Sequence, residues 1–196
     1  VFHKERDGIT KIAVDAARLI RELSEPLVRG GMNLRYQYSP ESFMGTEMDY
    51  AVEICQAVLD ELRATPERKV ILNLPTTVEN CMPNYFADEI EYFISKLPGR
   101  DRAIISLHPH NDRGCGVATA ELGMLAGAER VEGTLFGNGE RTGNVDLVTL
   151  ALNLYTQGVD PELDFSSINK VKEVYERVTK MKIGERQPYA GELVFT

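Results

Sequence analysis

Several features that would mark other classes of protein are missing from this sequence. It has no unbroken apolar run long enough to cross a bilayer, and residues 1–20 carry charges throughout, so neither a membrane span nor a signal peptide is predicted. The three cysteines, Cys55, Cys81 and Cys115, are widely spaced and form no Cys-x-x-Cys pair, which argues against a disulfide framework or a zinc knuckle. Reduced thiols fit the cytosol, so a cytoplasmic protein is expected.

An excess of basic charge is also missing. The 22 Lys and Arg residues are outnumbered by 30 Asp and Glu, for a formal net charge of -8. Nucleic acids and anionic membranes both select basic surfaces, so neither is expected as a partner. The length of 196 residues, with 43% hydrophobic and 27% charged residues, is typical of a globular domain that buries one core.

What the sequence does contain is an alternation of strand-like and helix-like segments. Strands are predicted at 33–38, 69–74, 103–110 and 130–136, and helices at 7–24, 46–64, 85–97, 117–126, 145–157 and 166–180. Parallel strands need a crossover that a helix provides, so the predicted fold class is α/β, with β-α units and a parallel sheet. Four such units do not close an eight-stranded barrel, which leaves half a barrel or an independent open α/β domain.

Two histidines end the third predicted strand. His108 and His110 are two residues apart, and side chains in a strand alternate between faces, so both imidazoles should lie on the same face. Neutral imidazoles are good ligands for a divalent metal ion. The pair therefore indicates a metal site, although a solvated pair of histidines at a strand end is an equally simple interpretation of these two residues alone.

A glycine-rich loop strengthens the metal hypothesis. Residues 133–146 contain four glycines among polar residues, including Glu140, Arg141 and Asn144. Glycine allows the backbone to approach a ligand closely, and Asn144 could supply a third, oxygen ligand. An ion pair within the loop is the plainer interpretation of Glu140 and Arg141.

The candidate residues share one position in the predicted fold, because each lies at or just after the carboxyl end of a strand. Ligands bind at this edge in barrels and in open α/β sheets alike. The residues are Glu41, Thr77, His108, His110 and Asn144. Glu41 could instead stabilise a helix entry, and Thr77 could cap a turn.

Four motifs resemble those of the 2-isopropylmalate synthases, in particular the longer-chain subgroup. They are Leu-His-Pro-His-Asn-Asp-Arg-Gly at 107–114, Leu-Phe-Gly-Asn-Gly-Glu-Arg-Thr-Gly-Asn-Val-Asp-Leu at 135–147, Tyr-Ser-Pro-Glu-Ser-Phe at 38–43 and Asn-Leu-Pro-Thr-Thr-Val-Glu at 73–79. The similarity extends over essentially the whole chain. It implies that residues 1–183 form the second half of a catalytic (β/α)8 barrel, strands five to eight, and that residues 184–196 begin the linker that follows.

The resemblance also implies roles for the candidate residues. His108, His110 and Asn144 match metal ligands, Glu41 matches a carboxylate beside the bound oxo acid, and Thr77 matches a residue that holds the carboxylate of that acid. Glu140 matches an active-site glutamate with a supporting role in catalysis. The implied cofactor is a divalent ion, Mg²⁺, Mn²⁺ or Zn²⁺, with a monovalent cation as an activator.

The implied reaction joins acetyl-CoA to 3-methyl-2-oxobutanoate and gives 2-isopropylmalate, in a full-length homodimer. The family's aspartate ligand and its catalytic histidine have no counterpart in residues 1–196, so this chain alone is expected to be inactive and to bind metal weakly. A homocitrate or citramalate synthase-like enzyme with another 2-oxo acid, and a non-catalytic metal-binding or assembly module, are the alternatives. A phosphate-binding loop is a weaker candidate because the Walker spacing is absent.

Overall fold

A computed structural model describes residues 3–194 of the chain. Six helices alternate with four strands. The helices are α1 (Arg6–Arg29), α2 (Met48–Glu61), α3 (Pro83–Lys96), α4 (Gly116–Leu125), α5 (Leu147–Thr156) and α6 (Ile168–Thr179). The strands are β1 (Gln37–Tyr38), β2 (Val70–Thr76), β3 (Ala103–Pro109) and β4 (Arg130–Val131).

The four strands form one parallel sheet in the order β1-β2-β3-β4. Spatial order thus follows chain order, as in one part of a β/α barrel. Because crossovers between parallel strands are right-handed, sequential strands place their connecting helices on the same face of the sheet. The predicted α/β class with parallel strands is confirmed.

One face of the sheet, the helix face, is apolar. Side chains from β2 and β3 on this face are fully buried and cluster with apolar residues of α2 and α3, such as Leu59 and Phe86. The strand residues of this face are Val70, Leu72, Leu74, Ala103, Ile105 and Leu107. Burying this surface supplies most of the driving force for folding of these units.

The opposite face of the sheet, the polar face, carries hydrogen-bonding side chains. Its members come from all four strands and are joined by side-chain hydrogen bonds. They are Gln37, Ser39, Asn73, Ser106, His108, Arg130 and Glu132. The register pairs Asn73 with Ser106 and Ser106 with Arg130, which aligns these side chains in rows.

The two outer strands are shorter than predicted. The structure has only Gln37–Tyr38 of the predicted strand 33–38 and only Arg130–Val131 of 130–136. An outer strand has one neighbour only, and the chain after β4 pairs elsewhere: the Thr134 N–H donates to the Val145 carbonyl over 3.1 Å. The predicted strand end 134–136 was wrong, because Leu135–Gly137 forms a 3-10 turn.

The helices follow the predictions with shifted ends. The first helix, predicted to end at residue 24, continues through Pro26 to Arg29 and stops at Gly30. Pro83 is the first residue of α3, where its missing N–H costs nothing. Asp146 caps α5, since its carboxylate accepts the Val148 N–H over 2.9 Å.

The last helix was predicted to begin at residue 166, and α6 begins at Ile168. Ser167 occupies the cap position and forms no side-chain capping hydrogen bond. Among the described residues, no helix is long and apolar enough to cross a membrane.

Candidate metal centre

The two histidines lie at the carboxyl end of β3 and face each other. Their ring centroids are 5.3 Å apart, with an angle of 33° between the ring planes. His110 is buried, and its backbone N–H donates to the Thr76 hydroxyl over 2.8 Å, which secures the end of β3 against β2. The predicted convergence of the two imidazoles is confirmed.

The glycine loop returns directly to this strand end. His110 and Asn144 form an isolated antiparallel bridge. On either side of it, the Asn111 N–H donates to the Gly143 carbonyl over 3.0 Å and the Val145 N–H donates to the Pro109 carbonyl over 2.9 Å. The structure thus brings Asn144 to the same edge of the sheet as the histidine pair.

The side chain of Asn144 is only half satisfied. Its Nδ2 donates to the Asn138 carbonyl over 3.0 Å, whereas its buried Oδ1 has no hydrogen-bond partner among the described residues. A buried polar oxygen without a partner costs free energy, so such atoms in folded proteins usually have a function or an external partner. An amide oxygen on the residue that bridges to His110 fits a divalent cation as that partner.

Glycine is required in this loop by close contacts. Gly143 has a φ of 104°, and a Cβ there would clash with the Gly137 carbonyl oxygen. Gly139 has a φ of 157°, and a Cβ there would clash with the Asn144 side-chain nitrogen. The glycines therefore allow the tight turn that places the Asn144 amide.

His108 contacts a carboxylate on the polar face. The Nδ1 atom of His108 lies 3.1 Å from Glu132 Oε2, which also accepts the Asn73 Nδ2 hydrogen bond over 2.9 Å. Arg130 Nη1 donates to Glu132 Oε1 over 2.5 Å. Burial opposes ionisation, but the hydrogen bonds from Arg130 and His108 outweigh it and hold the pKa of Glu132 below its ordinary value.

Arg141 connects the glycine loop to the two neighbouring loops. Its Nε donates to Asp112 Oδ1 over 2.6 Å, and its Nη2 donates to the Thr77 carbonyl over 2.8 Å and lies 3.1 Å from His110 Nδ1. The Arg141 hydrogen bond, with that of the Glu79 N–H, lowers the pKa of Asp112 to about 2. The loops after β2, β3 and β4 are thus held together by one guanidinium.

His110 is held in its neutral form. Burial, followed by the positive charge of Arg141 and the neighbouring His108, lowers the pKa of His110 below its ordinary value. A lowered pKa keeps the imidazole neutral near pH 7, and only the neutral ring has a lone pair to give to a cation.

Thr77 and Glu41 lie at the ends of the two preceding strands. The Ser42 backbone N–H donates to Thr77 Oγ1 over 2.8 Å, which joins the loop that carries Glu41 to the end of β2. Glu41 is exposed and lines a mostly apolar cavity of about 340 Å³ together with Tyr38 and Phe43. Both residues therefore lie at the predicted edge, on adjoining loops.

Glu140 is a strongly exposed member of the predicted site. Its side chain is 78% exposed, and among residues 3–194 its carboxylate contacts the Arg141 guanidinium, 3.4 Å away. This contact agrees with the plainer interpretation of the sequence, in which Glu140 and Arg141 form an ion pair within the loop. Its assignment to catalysis stays a prediction.

Glu132 was not predicted as a site residue, and Arg141 was predicted only to pair with Glu140 within its loop. A signal for Glu132 existed, because it follows Arg130 by two residues and so continues the polar face of β4. No local pattern reveals that Arg141 reaches His110, which is 31 residues earlier. Within residues 3–194, no three His, Cys, Asp or Glu side chains cluster to hold a metal. The candidate ligands remain the predicted ones, His108, His110 and Asn144.

Comparison with known proteins identifies the family. The family described as HMGL-like matches residues 1–175. The chain belongs to the HMGL-like family. Enzymes of this family are typically dependent on a divalent metal.

Individual relatives carry the name that the motifs suggested. The chain is 59% identical over 196 residues to the 2-isopropylmalate synthase of Rhizobium johnstonii, covering 100% of this chain and 34% of that protein. The 2-isopropylmalate synthase of Brucella suis is also 59% identical over 196 residues, with 100% and 35% covered. The chain therefore spans about a third of the length of these relatives, and it is their homologue.

Solved structures of low sequence identity share the fold. The HMG-CoA lyase of Bacillus subtilis matches with a TM-score of 0.67 at 14% identity, over 87% of this chain and 57% of that chain. The HMG-CoA lyase of Brucella melitensis gives 0.64 at 12% identity, over 85% and 59%. The four parallel β-α units thus match part of the HMGL-like barrel.

Proposed function

We propose that this chain is part of the catalytic barrel of a metal-dependent 2-isopropylmalate synthase. In the reaction, the methyl carbon of acetyl-CoA adds to the ketone of 3-methyl-2-oxobutanoate, and hydrolysis of the thioester releases CoA. The product is 2-isopropylmalate, an intermediate in leucine biosynthesis. Whole-chain identity of 59% to enzymes of that name supports the proposal, and the relatives' greater length implies that further segments complete the activity.

One observation carries the metal part of the proposal. Asn144 Oδ1 is buried without a partner in a loop that bridges directly to His110, and the His108 ring lies 5.3 Å from that of His110. The three candidate ligands come from the carboxyl end of β3 and from the glycine loop, and His108 and Asn144 are 36 residues apart along the chain. Their types suit Zn²⁺ and Mn²⁺, and Mg²⁺ less well because it prefers oxygen.

Bound there, a divalent ion would polarise the ketone oxygen as a Lewis acid. His108, His110 and Asn144 are the residues that would hold it, and Arg141 keeps their two loops together. Because three ligands leave the usual coordination incomplete, further ligands must come from substrate, water or other segments. The chain alone is accordingly expected to bind metal weakly.

Thr77 is suited to bind the carboxylate of the oxo acid. Its hydroxyl oxygen already accepts the Ser42 N–H over 2.8 Å, so the hydroxyl proton remains available to donate. A donor at this edge of the sheet can hold an anionic carboxylate in place while the ketone is oriented.

Glu41 and Glu140 are assigned to proton handling and support. Glu41 follows β1 on the loop fastened to Thr77, where its carboxylate can contact the bound acid. Glu140 lies on the glycine loop, four residues before Asn144, and its contact with Arg141 lets it influence the orientation of that loop. The wider setting we propose is a cytoplasmic homodimer with a monovalent cation as an activator.

The decisive experiment measures CoA release from acetyl-CoA and 3-methyl-2-oxobutanoate by the longer protein that contains this chain. We expect turnover that is abolished by a chelator and restored by Mn²⁺ or Zn²⁺. His108→Ala should abolish it as well, whereas His3→Ala should leave it unchanged, since His3 precedes the first helix. Comparing 2-oxo acids of different size would distinguish this enzyme from homocitrate and citramalate synthases.

The 196-residue chain by itself should show no turnover. Measurable condensation by the isolated chain, or full activity in the His108→Ala variant, would contradict the proposal. A longer protein that binds Mn²⁺ but converts no 2-oxo acid would instead support a non-catalytic metal-binding module.

A further inference from the structure

The two imidazoles of the metal centre have opposite hydrogen-bond partners. His108 Nδ1 faces the carboxylate of Glu132 at 3.1 Å, and His110 Nδ1 faces the guanidinium of Arg141 at 3.1 Å. An ionised carboxylate can only accept hydrogen bonds, whereas a guanidinium can only donate them. This difference determines where each neutral ring carries its proton.

Glu132 acts as an acceptor towards His108. Its two oxygens already receive hydrogen bonds from Arg130 Nη1 at 2.5 Å and Asn73 Nδ2 at 2.9 Å, which is the environment of an ionised carboxylate. His108 must therefore donate from Nδ1. In the neutral ring, the lone pair is then on Nε2, where a cation can use it.

Arg141 imposes the reverse arrangement on His110. A guanidinium has five N–H donors and no acceptor, so His110 Nδ1 must be the acceptor and Nε2 must carry the proton. The lone pair of His110 thus lies on the nitrogen that Arg141 already contacts. A cation can take this ring only after the contact with Arg141 is broken.

We infer that Glu132 is a positioning residue that prepares His108 as the first imidazole ligand, while Arg141 holds His110 in the opposite tautomer until the cation displaces it. The inference rests on the proposed metal centre for its consequence, but the two tautomers themselves are a property of the metal-free chain. Removing a carboxylate that hydrogen-bonds to a metal-binding histidine commonly changes metal affinity about 10–100-fold.

The first experiment reads the tautomers directly without any metal. The chain has only three histidines, so selective labelling with ¹⁵N-histidine gives a simple solid-state NMR spectrum that does not require a monomeric sample. We expect Nδ1 to be protonated in His108 and Nε2 in His110, with single-histidine variants used for assignment. The same protonated nitrogen in both rings would overturn the inference.

Variants of Glu132 test its role in positioning. Glu132→Leu removes the acceptor, so His108 should lose its preference for Nδ1–H, whereas Glu132→Gln keeps an amide oxygen and should retain most of it. Glu129→Gln is the matched control, because Glu129 accepts the Ile105 N–H at the other end of the sheet and contacts neither histidine. Circular dichroism of each variant establishes that it is folded.

Titration with Zn²⁺ alone, in the longest protein containing this chain, completes the test. Glu132→Leu should weaken binding about 10–100-fold, Glu132→Gln less, and Glu129→Gln not at all. Folded Glu132→Leu protein with the original His108 tautomer and undiminished Zn²⁺ affinity would refute the role of Glu132. If no protein binds Zn²⁺ but the tautomers are as expected, the proposed metal function fails and the tautomer assignment stands.

Discussion

The helix face and the polar face of the sheet are built from alternate residues of the same strands. The helix face packs into the apolar core, whereas the polar face forms side-chain hydrogen bonds. Ile105 and Leu107 on the helix face are fully buried in the apolar cluster. Their neighbours Ser106 and His108 face the other way and take part in hydrogen bonds with Arg130 and Glu132. Apolar burial is thus concentrated on one face, and the candidate metal ligands lie at the end of the other.

The largest effect should come from truncating an apolar side chain on the helix face. Ile105→Ala should lower the free energy of unfolding by about 2–5 kcal/mol, because a fully buried side chain leaves a cavity. Ile104→Ala makes the same chemical change one residue earlier, on the polar face, where Ile104 is only half-buried. Urea unfolding should show a clearly smaller loss for Ile104→Ala, and equal losses would break the distinction between the faces.

A glycine variant tests the loop at the end of the polar face. Gly143→Ala should lower the free energy of unfolding by about 1–3 kcal/mol and abolish the binding of Zn²⁺, because the loop must move away from the Gly137 carbonyl. Gly158→Ala is the control, since Gly158 also has a positive φ, 82°, but its Cβ would meet no atom within 4 Å. Thermal unfolding combined with Zn²⁺ titration checks both; retained binding in Gly143→Ala would show that the loop tolerates the change.

A serine variant measures one hydrogen bond of the polar face. Arg130 Nη1 donates to Ser106 Oγ over 2.9 Å, so Ser106→Ala should cost about 0.5–1.5 kcal/mol of stability. The exposed helix residue Ser95, whose hydroxyl donates to the Tyr92 carbonyl over 2.7 Å, offers the same substitution with almost no expected cost. Urea unfolding should show a larger loss of stability for Ser106→Ala than for Ser95→Ala. A larger loss for Ser95→Ala would contradict this prediction.

The one effect that depends on pH concerns a carboxyl group in the helix layer. Burial raises the pKa of Glu89 to about 7, and its Oε2 has no hydrogen-bond partner in the described part of the chain. The folded state therefore favours the protonated form. Its contribution to stability is greatest below the ordinary carboxyl pKa and is lost as the pH rises through about 7.

Replacing Glu89 by glutamine tests whether this carboxyl group is protonated in the folded state. Glu89→Gln mimics the neutral form, so its advantage over the original protein in free energy of unfolding should increase between about pH 5 and pH 8. Glu91→Gln, at an exposed position of the same helix, should follow the original protein at every pH. A constant difference between Glu89→Gln and the original protein would show that Glu89 is ionised throughout this range.

Much of the candidate centre follows from local rules. The alternation of side chains in a strand predicts that His108 and His110 converge, and the placement of loops after parallel strands predicts that Asn144 joins them. Both predictions were confirmed. The bounds of β1 and β4 were predicted too long, because the length of an outer strand depends on which segment pairs with it.

The order of the β-α units, the parallel sheet and the candidate metal ligands could be predicted from the sequence, because periodicity, turns and ligand chemistry are encoded within short segments. Only the tertiary structure decided that Glu132 faces His108 and Arg141 faces His110, since these contacts join residues 24 and 31 positions apart. Such pairings depend on strand register and on how three loops pack together. No short segment contains that information.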